Sequence, residues 1–231
     1  MSGLGDVFGQ RLLRLVPPLR RSLDQVPDYA AQWELVNEQT LVAEGPLWVV
    51  LGDSTAQAIG VARGIEHGYV GRVRRLLELR DGPGWRVLNL SRSGAVLADV
   101  LVEQLPRMPS SAALVTCVVG GNDLRRTPLM RLLTDLQSVV AALPDGAVVA
   151  TMPRGLKEAR AVEANALLRR LAQERGLPVA DLWARTGPPW RGKYADGLHP
   201  NEVGLTDWVA AIAEALGLPA EVDPPQLRRT R

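Results

Sequence analysis

The chain has 231 residues, of which 46% are hydrophobic and 23% charged, and this composition is typical of a globular protein rather than a disordered one. All of its apolar stretches are shorter than the roughly 20 residues that a membrane-spanning helix needs, so no stable membrane insertion is predicted. The formal net charge is only +2 and the arginines are scattered, which argues against a nucleic-acid-binding protein.

The N-terminal sequence indicates the location of the protein, and the surroundings of the single cysteine indicate the role of that residue. Arginines interrupt the N-terminal apolar patch and no small-residue cleavage site follows it, so we predict no secretory signal peptide and a cytoplasmic location. Cys117 has no cysteine partner for a disulfide and lies in an apolar run. We therefore interpret it as a small core residue and not as a nucleophile.

Residues 1–45 carry helical periodicity in two stretches, with a break at Pro17-Pro18 and a second stretch from about Tyr29 to Leu41. We predict that this segment is a helical extension packed on the main domain. The alternative is an amphipathic helix on a membrane surface, because four arginines flank the first apolar positions.

From residue 46 to residue 218, short apolar runs alternate with stretches of helical periodicity, and residues 219–231 form a tail rich in proline and arginine. Five runs are predicted strands, at residues 47–51, 86–90, 113–119, 147–151 and 178–182. Helices are predicted near residues 70–79, 95–105, 129–143, 157–175 and 202–216. Strands that alternate with helices form a parallel sheet covered on both faces. The predicted fold class is therefore α/β, with a five-stranded parallel sheet.

Polar residues and glycines follow four of the predicted strands. Ser54 follows the first strand, Gly94 the second and Asn122 the third, while Asp196 and His199 lie in the loop after the fifth. Sites in parallel α/β sheets lie beyond the carboxyl ends of the strands. We therefore expect these residues to meet at one edge of the sheet.

The residue types at these positions suit nucleophilic catalysis. His199 lies three positions after Asp196, so the carboxylate can fold back onto one imidazole nitrogen, which leaves the other nitrogen free to take a proton from Ser54. Ser91 and Ser93 are alternative nucleophiles, because the segment 91–95 partly imitates a G-x-S-x-G elbow. Taken singly, these motifs also fit ordinary turns and helix starts, and only their combination favours catalysis.

Taken together, the motifs resemble the GDSL or SGNH hydrolase family over about residues 46–216. The four matching blocks are Gly52-Asp53-Ser54-Thr55, Ser93-Gly94, Gly120-Gly121-Asn122-Asp123 and Asp196-Gly197-Leu198-His199-Pro200. The resemblance implies a flavodoxin-like, three-layer α/β/α domain with esterase or lipase activity. It also implies a triad of Ser54, Asp196 and His199, and an oxyanion hole formed by Ser54, Gly94 and Asn122. Thr55 stands where the family often has leucine.

The predicted function is hydrolysis of a small-molecule carboxylic ester through an acyl-enzyme, with a carbohydrate ester or a short acyl ester as candidate substrates. An acyltransferase with the same site and a non-catalytic binding domain are the alternatives. No cofactor is required by this chemistry, and no metal site is predicted because His67, the other histidine, has no ligand spacing around it. Arg125, Trp190 and Tyr194 are predicted substrate-binding residues, because they lie close in sequence to the blocks.

Overall fold

The computed structural model describes residues 17–155 and 157–222, and a parallel sheet of five strands lies at its centre. The strand order is β2-β1-β3-β4-β5. The strands are β1 Leu47–Gly52, β2 Arg86–Asn89, β3 Leu114–Val118, β4 Val148–Ala150 and β5 Val179–Ala180. They coincide with the five predicted apolar runs, so the predicted parallel sheet is confirmed.

Eight α-helices connect and flank these strands within the described residues. They are α1 Pro17–Val42, α2 Tyr69–Asp81, α3 Leu97–Asp99, α4 Gly121–Arg126, α5 Leu129–Ala142, α6 Glu158–Arg175, α7 Leu182–Arg185 and α8 Leu205–Ala215. Shorter turns of 3₁₀ helix occupy Ile65–His67 and Leu105–Arg107, and a π-helical turn occupies Val100–Gln104.

The sheet is the middle layer of three. Side chains alternate along β1, so that Trp48 and Val50 contact one layer while Val49 and Leu51 contact the other. Helices α1, α2 and α8 supply the first layer, and α5 and α6 supply the second. Burial on both faces explains why the strands are almost continuously apolar in sequence.

Helix α1 differs from the prediction for the N-terminal segment. The helix begins at Pro17 and continues through Pro27 to Val42, whereas the prediction placed a break at Pro17-Pro18 and a new helix near Tyr29. Proline suits the first helical turn, because the N–H that it lacks has no partner there. The predicted stretch before Pro17 lies outside the described residues, as does most of the predicted tail, and the division at residues 46 and 218 stays a prediction.

The segment predicted as a regular helix near residues 95–105 is irregular. Helix α3 passes into the π-helical turn Val100–Gln104, in which hydrogen bonds span one residue more than in an α-helix. The turn buries Gln104, whose amide bonds both to the N–H and to the C=O of Gly52 at 2.9 Å. The Gln104 amide thus fixes the carboxyl end of β1, which leads directly into the turn that carries Ser54.

Candidate active site

Ser54 lies in the turn directly after β1 and is only 8% exposed. The backbone N–H of Thr55 donates to Oδ1 of Asp53 at 3.0 Å, and that of Ile59 donates to the Ser54 carbonyl at 3.0 Å. These local bonds fix the turn, as expected for an Asx-type loop. Asp53 is therefore tied to the backbone of the loop that carries Ser54.

Asp196 and His199 reach Ser54 from the loop that precedes α8. The Asp196 Oδ1 atom accepts the N–H groups of Leu198 at 2.9 Å and of His199 at 2.7 Å, which folds the loop back on itself. The other carboxylate oxygen lies 2.7 Å from His199 Nδ1, and His199 Nε2 lies 3.0 Å from Ser54 Oγ. The three predicted triad side chains are thus joined in one hydrogen-bonded chain.

The environment of Asp196 favours its charged form. Burial alone would raise the pKa of this carboxyl, but hydrogen bonds from His199, the charge of that imidazole and a hydrogen bond from Ser22 outweigh burial. The net effect holds the pKa of Asp196 well below its usual value. The carboxylate is therefore ionised at neutral pH and is available to fix the imidazole tautomer.

Three N–H groups are available for an anionic oxygen near Ser54. Asn122, in the first turn of α4, donates one N–H of its amide to the Ala95 carbonyl at 3.0 Å, and the second remains for a ligand. Within the described residues, the backbone N–H groups of Ser54 and Gly94 donate to no acceptor. Gly94 has a φ of 79°, a conformation that suits glycine.

A cavity of about 380 Å³ opens beside these residues. Ser54, Asn122 and His199 all line it. The apolar part of its lining consists of Val118, Val119, Pro153, Leu182, Trp190, Leu198, Pro200 and Trp208. A volume of this size with mostly apolar walls and a few polar groups is typical of a small-molecule site.

The predicted substrate-binding residues fall into two groups. Trp190, which is 43% exposed, and Tyr194 both line the cavity. Arg125 is exposed and does not belong to the lining, so this prediction gains no support from the geometry. Two other arginines, Arg154 and Arg191, line the cavity instead.

The place of Arg154 beside the cavity could have been predicted from the sequence. It lies four residues after the end of β4, at the one strand end where no polar group was singled out. Its guanidinium lies 5.1 Å from the ring centroid of Trp183, and its Nε donates to the Trp183 carbonyl at 3.1 Å. The strand-end rule that found the other site residues applies equally to this position.

The alternative nucleophiles, Ser91 and Ser93, are not joined to the base. Ser91 Oγ donates to Asn89 Oδ1 at 2.6 Å, and the buried Ser93 Oγ has no hydrogen-bond partner among the described residues. His199 Nε2 contacts Ser54 and neither of these serines. Cys117 is fully enclosed, and burial together with the charge of Asp53 raises the pKa of its thiol to about 12.

The described part of the chain contains neither a membrane-spanning helix nor a cluster of metal ligands. Over residues 17–155 and 157–222, no helix has the length and apolar character needed to cross a bilayer. The same ranges hold no cluster of three or more histidine, cysteine or acidic side chains that is arranged to bind a metal ion.

Comparison with solved structures finds the same fold in several enzymes. An acetylxylan esterase from Geobacillus stearothermophilus is 20% identical, with a TM-score of 0.62 over 79% of this chain and 99% of that one. A lipase/acylhydrolase from Enterococcus faecalis is 21% identical, with a TM-score of 0.59 over 79% of this chain and 100% of that one. A phospholipase A1 from Streptomyces albidoflavus is 21% identical, with a TM-score of 0.53 over 74% and 100%.

Comparison by sequence gives the family. A search of curated proteins finds no match. The model of the GDSL-like Lipase/Acylhydrolase family matches residues 50–205, which is more than half of the chain and includes all four blocks. The resemblance drawn from the motifs is therefore confirmed, and the chain belongs to the GDSL-like lipase/acylhydrolase family of carboxylic ester hydrolases.

Proposed function

We propose that this protein hydrolyses carboxylic esters through an acyl-enzyme, with Ser54 as nucleophile, His199 as general base and Asp196 as the acid that orients the imidazole. The observation that carries the proposal is the unbroken chain of contacts at 2.7 Å and 3.0 Å from Asp196 through His199 to Ser54 Oγ. Distances of this size allow direct proton transfer between nucleophile and base.

The proposed reaction has two halves. His199 Nε2 takes the proton of Ser54 as Oγ attacks the ester carbonyl, and the imidazolium then gives that proton to the departing alcohol. Water attacks the resulting acyl-enzyme in the same way, with His199 again as base, and releases the carboxylic acid and the free serine. The ionised Asp196 stabilises the imidazolium in both halves.

The oxyanion of each tetrahedral intermediate needs donors that are already in place. We assign this role to the backbone N–H groups of Ser54 and Gly94 and to the second amide N–H of Asn122. Support comes from the lack of any protein acceptor for the two backbone groups among the described residues. Donors that are free before substrate binds need no reorganisation during the reaction.

The substrate is proposed to be a small-molecule ester with an acyl group larger than acetyl. A cavity of about 380 Å³ exceeds what an acetyl group fills, and its walls at Val118, Leu182 and Trp208 suit a hydrocarbon chain. The named structural neighbours include both an acetylxylan esterase and a phospholipase A1, so a chain-length series decides this point.

The test compares turnover of p-nitrophenyl acetate, butyrate and octanoate by the wild type and by Ser54→Ala. We expect turnover that prefers butyrate or octanoate, a loss of several orders of magnitude in Ser54→Ala, and stoichiometric labelling of the wild type by a fluorophosphonate. Ser91→Ala is the matched control and should retain activity. Wild-type turnover in Ser54→Ala would overturn the proposal.

An added acceptor alcohol separates hydrolysis from acyl transfer in the same assay. We expect the yield of free acid to be unchanged by the acceptor, because water resolves the acyl-enzyme. Formation of a new ester at the expense of the acid would instead assign the protein as an acyltransferase.

A further inference from the structure

We propose that helix α1 is a positioning element of the active site, in which Gln25 holds the backbone at Gly60 against His199 and Ser22 supports Asp196. The inference rests on the proposed triad. Helix α1 spans Pro17–Val42 and lies wholly outside the residues matched by the family, which begin at residue 50. The family pattern therefore says nothing about this contribution.

Gln25 and Tyr29 bind the end of the loop that starts at Ser54. The Gly60 N–H donates to Gln25 Oε1 at 2.9 Å, and Gln25 Nε2 donates to the Val61 carbonyl at 2.9 Å. The Tyr29 hydroxyl donates to the same carbonyl at 2.6 Å. Two adjacent residues of the loop are thus held by three hydrogen bonds from one helix.

Gly60 is in direct contact with the residue that carries the base. A Cβ atom at Gly60 would lie 2.8 Å from His199 Cβ and 2.8 Å from the Pro200 carbonyl oxygen. The φ of Gly60 is 96°, so the tight approach and the left-handed backbone both require glycine. Any shift of Gly60 is therefore transmitted to His199.

The same loop connects Gly60 to the nucleophile. Its neighbour Ile59 donates a backbone N–H to the Ser54 carbonyl at 3.0 Å. Gln25 thus lies behind a segment that touches Ser54 at one end and His199 at the other. Displacements of about 1 Å between reacting groups can cost roughly 100-fold in rate.

Ser22 acts on the third member of the triad. It is only 3% exposed, and it helps to lower the pKa of the Asp196 carboxyl group, whose side chain is 1% exposed. The Asp196 oxygens already accept two backbone N–H groups and the imidazole N–H. Ser22 belongs to α1 and not to this loop, and its hydroxyl favours the charged form of the carboxylate.

A second series of contacts leads from α1 towards the oxyanion donors. Trp33 Nε1 donates to the Gln57 carbonyl at 3.3 Å. The Gln57 side chain in turn accepts the Ser93 N–H and donates to the Ser91 carbonyl, both at 3.0 Å. Gly94 follows Ser93 directly, so α1 contacts the supports of all the proposed catalytic groups except Asn122.

The test uses the full chain with Gln25→Ala and Ser22→Ala, assayed on p-nitrophenyl butyrate and by the rate of fluorophosphonate labelling. For Gln25→Ala we expect kcat to fall about 10- to 100-fold with little change in KM, and the labelling rate to fall in parallel. Ser22→Ala should lose less, in the same two readouts. A merely structural role would change neither in the folded protein.

Thr40→Val is the matched control on the same helix. Its hydroxyl donates to the Val87 carbonyl at 2.8 Å, so the substitution removes a buried bond of the same kind away from the cavity. We expect Thr40→Val to lower the Tm and to leave kcat unchanged. If Gln25→Ala does not fold, the kcat and the labelling rate of Ser22→Ala test the proposal.

The outcomes separate this inference from the proposed function. An inactive Ser54→Ala together with full kcat and full labelling rates in both folded α1 variants would overturn the inference alone. Wild-type turnover in Ser54→Ala would overturn the triad on which the inference rests. Reduced kcat and labelling in the α1 variants, with Thr40→Val unaffected, supports the inference.

Discussion

The loops at the strand ends and helix α1 serve the same site through different parts of the chain. The strand-end loops present side chains to the cavity, among them Ser54, Asn122 and His199. Among the described residues, none from α1 lines that cavity. We therefore propose that the loops supply the reacting groups, while the helix acts on the backbone that carries them.

Five of the contacts made by α1 share one chemical form. Five of its side chains donate to main-chain carbonyl oxygens of the sheet and its loops: Gln25, Tyr29, Trp33, Asn37 and Thr40. Their spacing of three or four residues places them on one face of the helix. A main-chain acceptor is present at every residue, so such a contact imposes no residue type on its partner. A sequence motif therefore identifies the proposed reacting groups but gives no indication of the contribution of α1.

The largest expected effect is at the base. His199→Ala should lower kcat/KM by about 10⁴-fold or more, because no other described group lies within hydrogen-bond distance of Ser54 Oγ to take its proton. The measurement is kcat/KM on p-nitrophenyl butyrate. His67→Ala, the other histidine, lies outside the cavity lining and should keep wild-type activity. Equal losses in the two variants would contradict the assignment of the base.

Asn122 should give the next largest loss. Asn122→Ala removes one of three proposed oxyanion donors, and the loss of one such donor typically costs about 10²- to 10³-fold in kcat. KM should change little, since the bond forms in the transition state. The Tm should fall modestly, because only the bond to the Ala95 carbonyl is lost. A kcat close to that of the wild type would remove Asn122 from the oxyanion hole.

Gly60 and Gly82 test whether the contact with His199 matters to catalysis or only to folding. Their φ values are 96° and 93°, so alanine at either position must adopt a positive φ, which favours glycine. Only at Gly60 would the new methyl group approach His199, since no atom lies within 4 Å of a Cβ at Gly82. We expect both variants to have a lower Tm and only Gly60→Ala to lose kcat, by an amount similar to Gln25→Ala. Equal activity in the two variants would contradict the transmitted shift.

Much of the sheet and of the proposed triad was predictable because the signal is local. A fully buried strand such as β1 must be apolar throughout, and the turn that ends it must carry the residues that react. The same rule placed Asn122 and His199 at the correct edge. It also applied to Arg154 after β4, which was missed because arginine in a surface loop resembles an ordinary solvated side chain.

The role of α1 was not predictable, and the reason is physical. Gln25 meets Gly60 across 35 positions of sequence, and the atoms that it binds are main-chain atoms. Neither end of that contact has a periodicity or a motif. The start of the second predicted helical stretch was placed near Tyr29 for a related reason: Pro17-Pro18 is read as a break, although proline is also favoured in the first turn of a helix.

The smallest expected effect is at Asp123, a residue that supports a strand-end loop without taking part in the proposed reaction. Asp123 follows Asn122, yet its carboxylate accepts the Leu97 N–H at 3.0 Å and the Thr127 hydroxyl at 2.9 Å and supports the loop. Burial raises its pKa from an ordinary value near 3.8 to about 6, despite these two bonds, while the pKa of Asp196 is lowered. Because the two pKa values are shifted in opposite directions, the two carboxyl groups contribute to the free energy of unfolding with opposite dependence on pH.

A raised pKa means that the folded protein holds the Asp123 proton more tightly than the unfolded chain does. The contribution of this group to the free energy of unfolding is therefore present below about pH 4 and is lost as the pH rises to about 6. Asp123→Asn cannot titrate, and its amide can keep one acceptor towards Leu97 and one donor towards Thr127. The Tm of the variant minus that of the wild type should thus increase from pH 4 to pH 6 and then level off, with kcat at neutral pH nearly unchanged. A difference that shrinks with rising pH would contradict this sign, and a loss of kcat as large as that of Asn122→Ala would move Asp123 from the support of the loop to the chemistry.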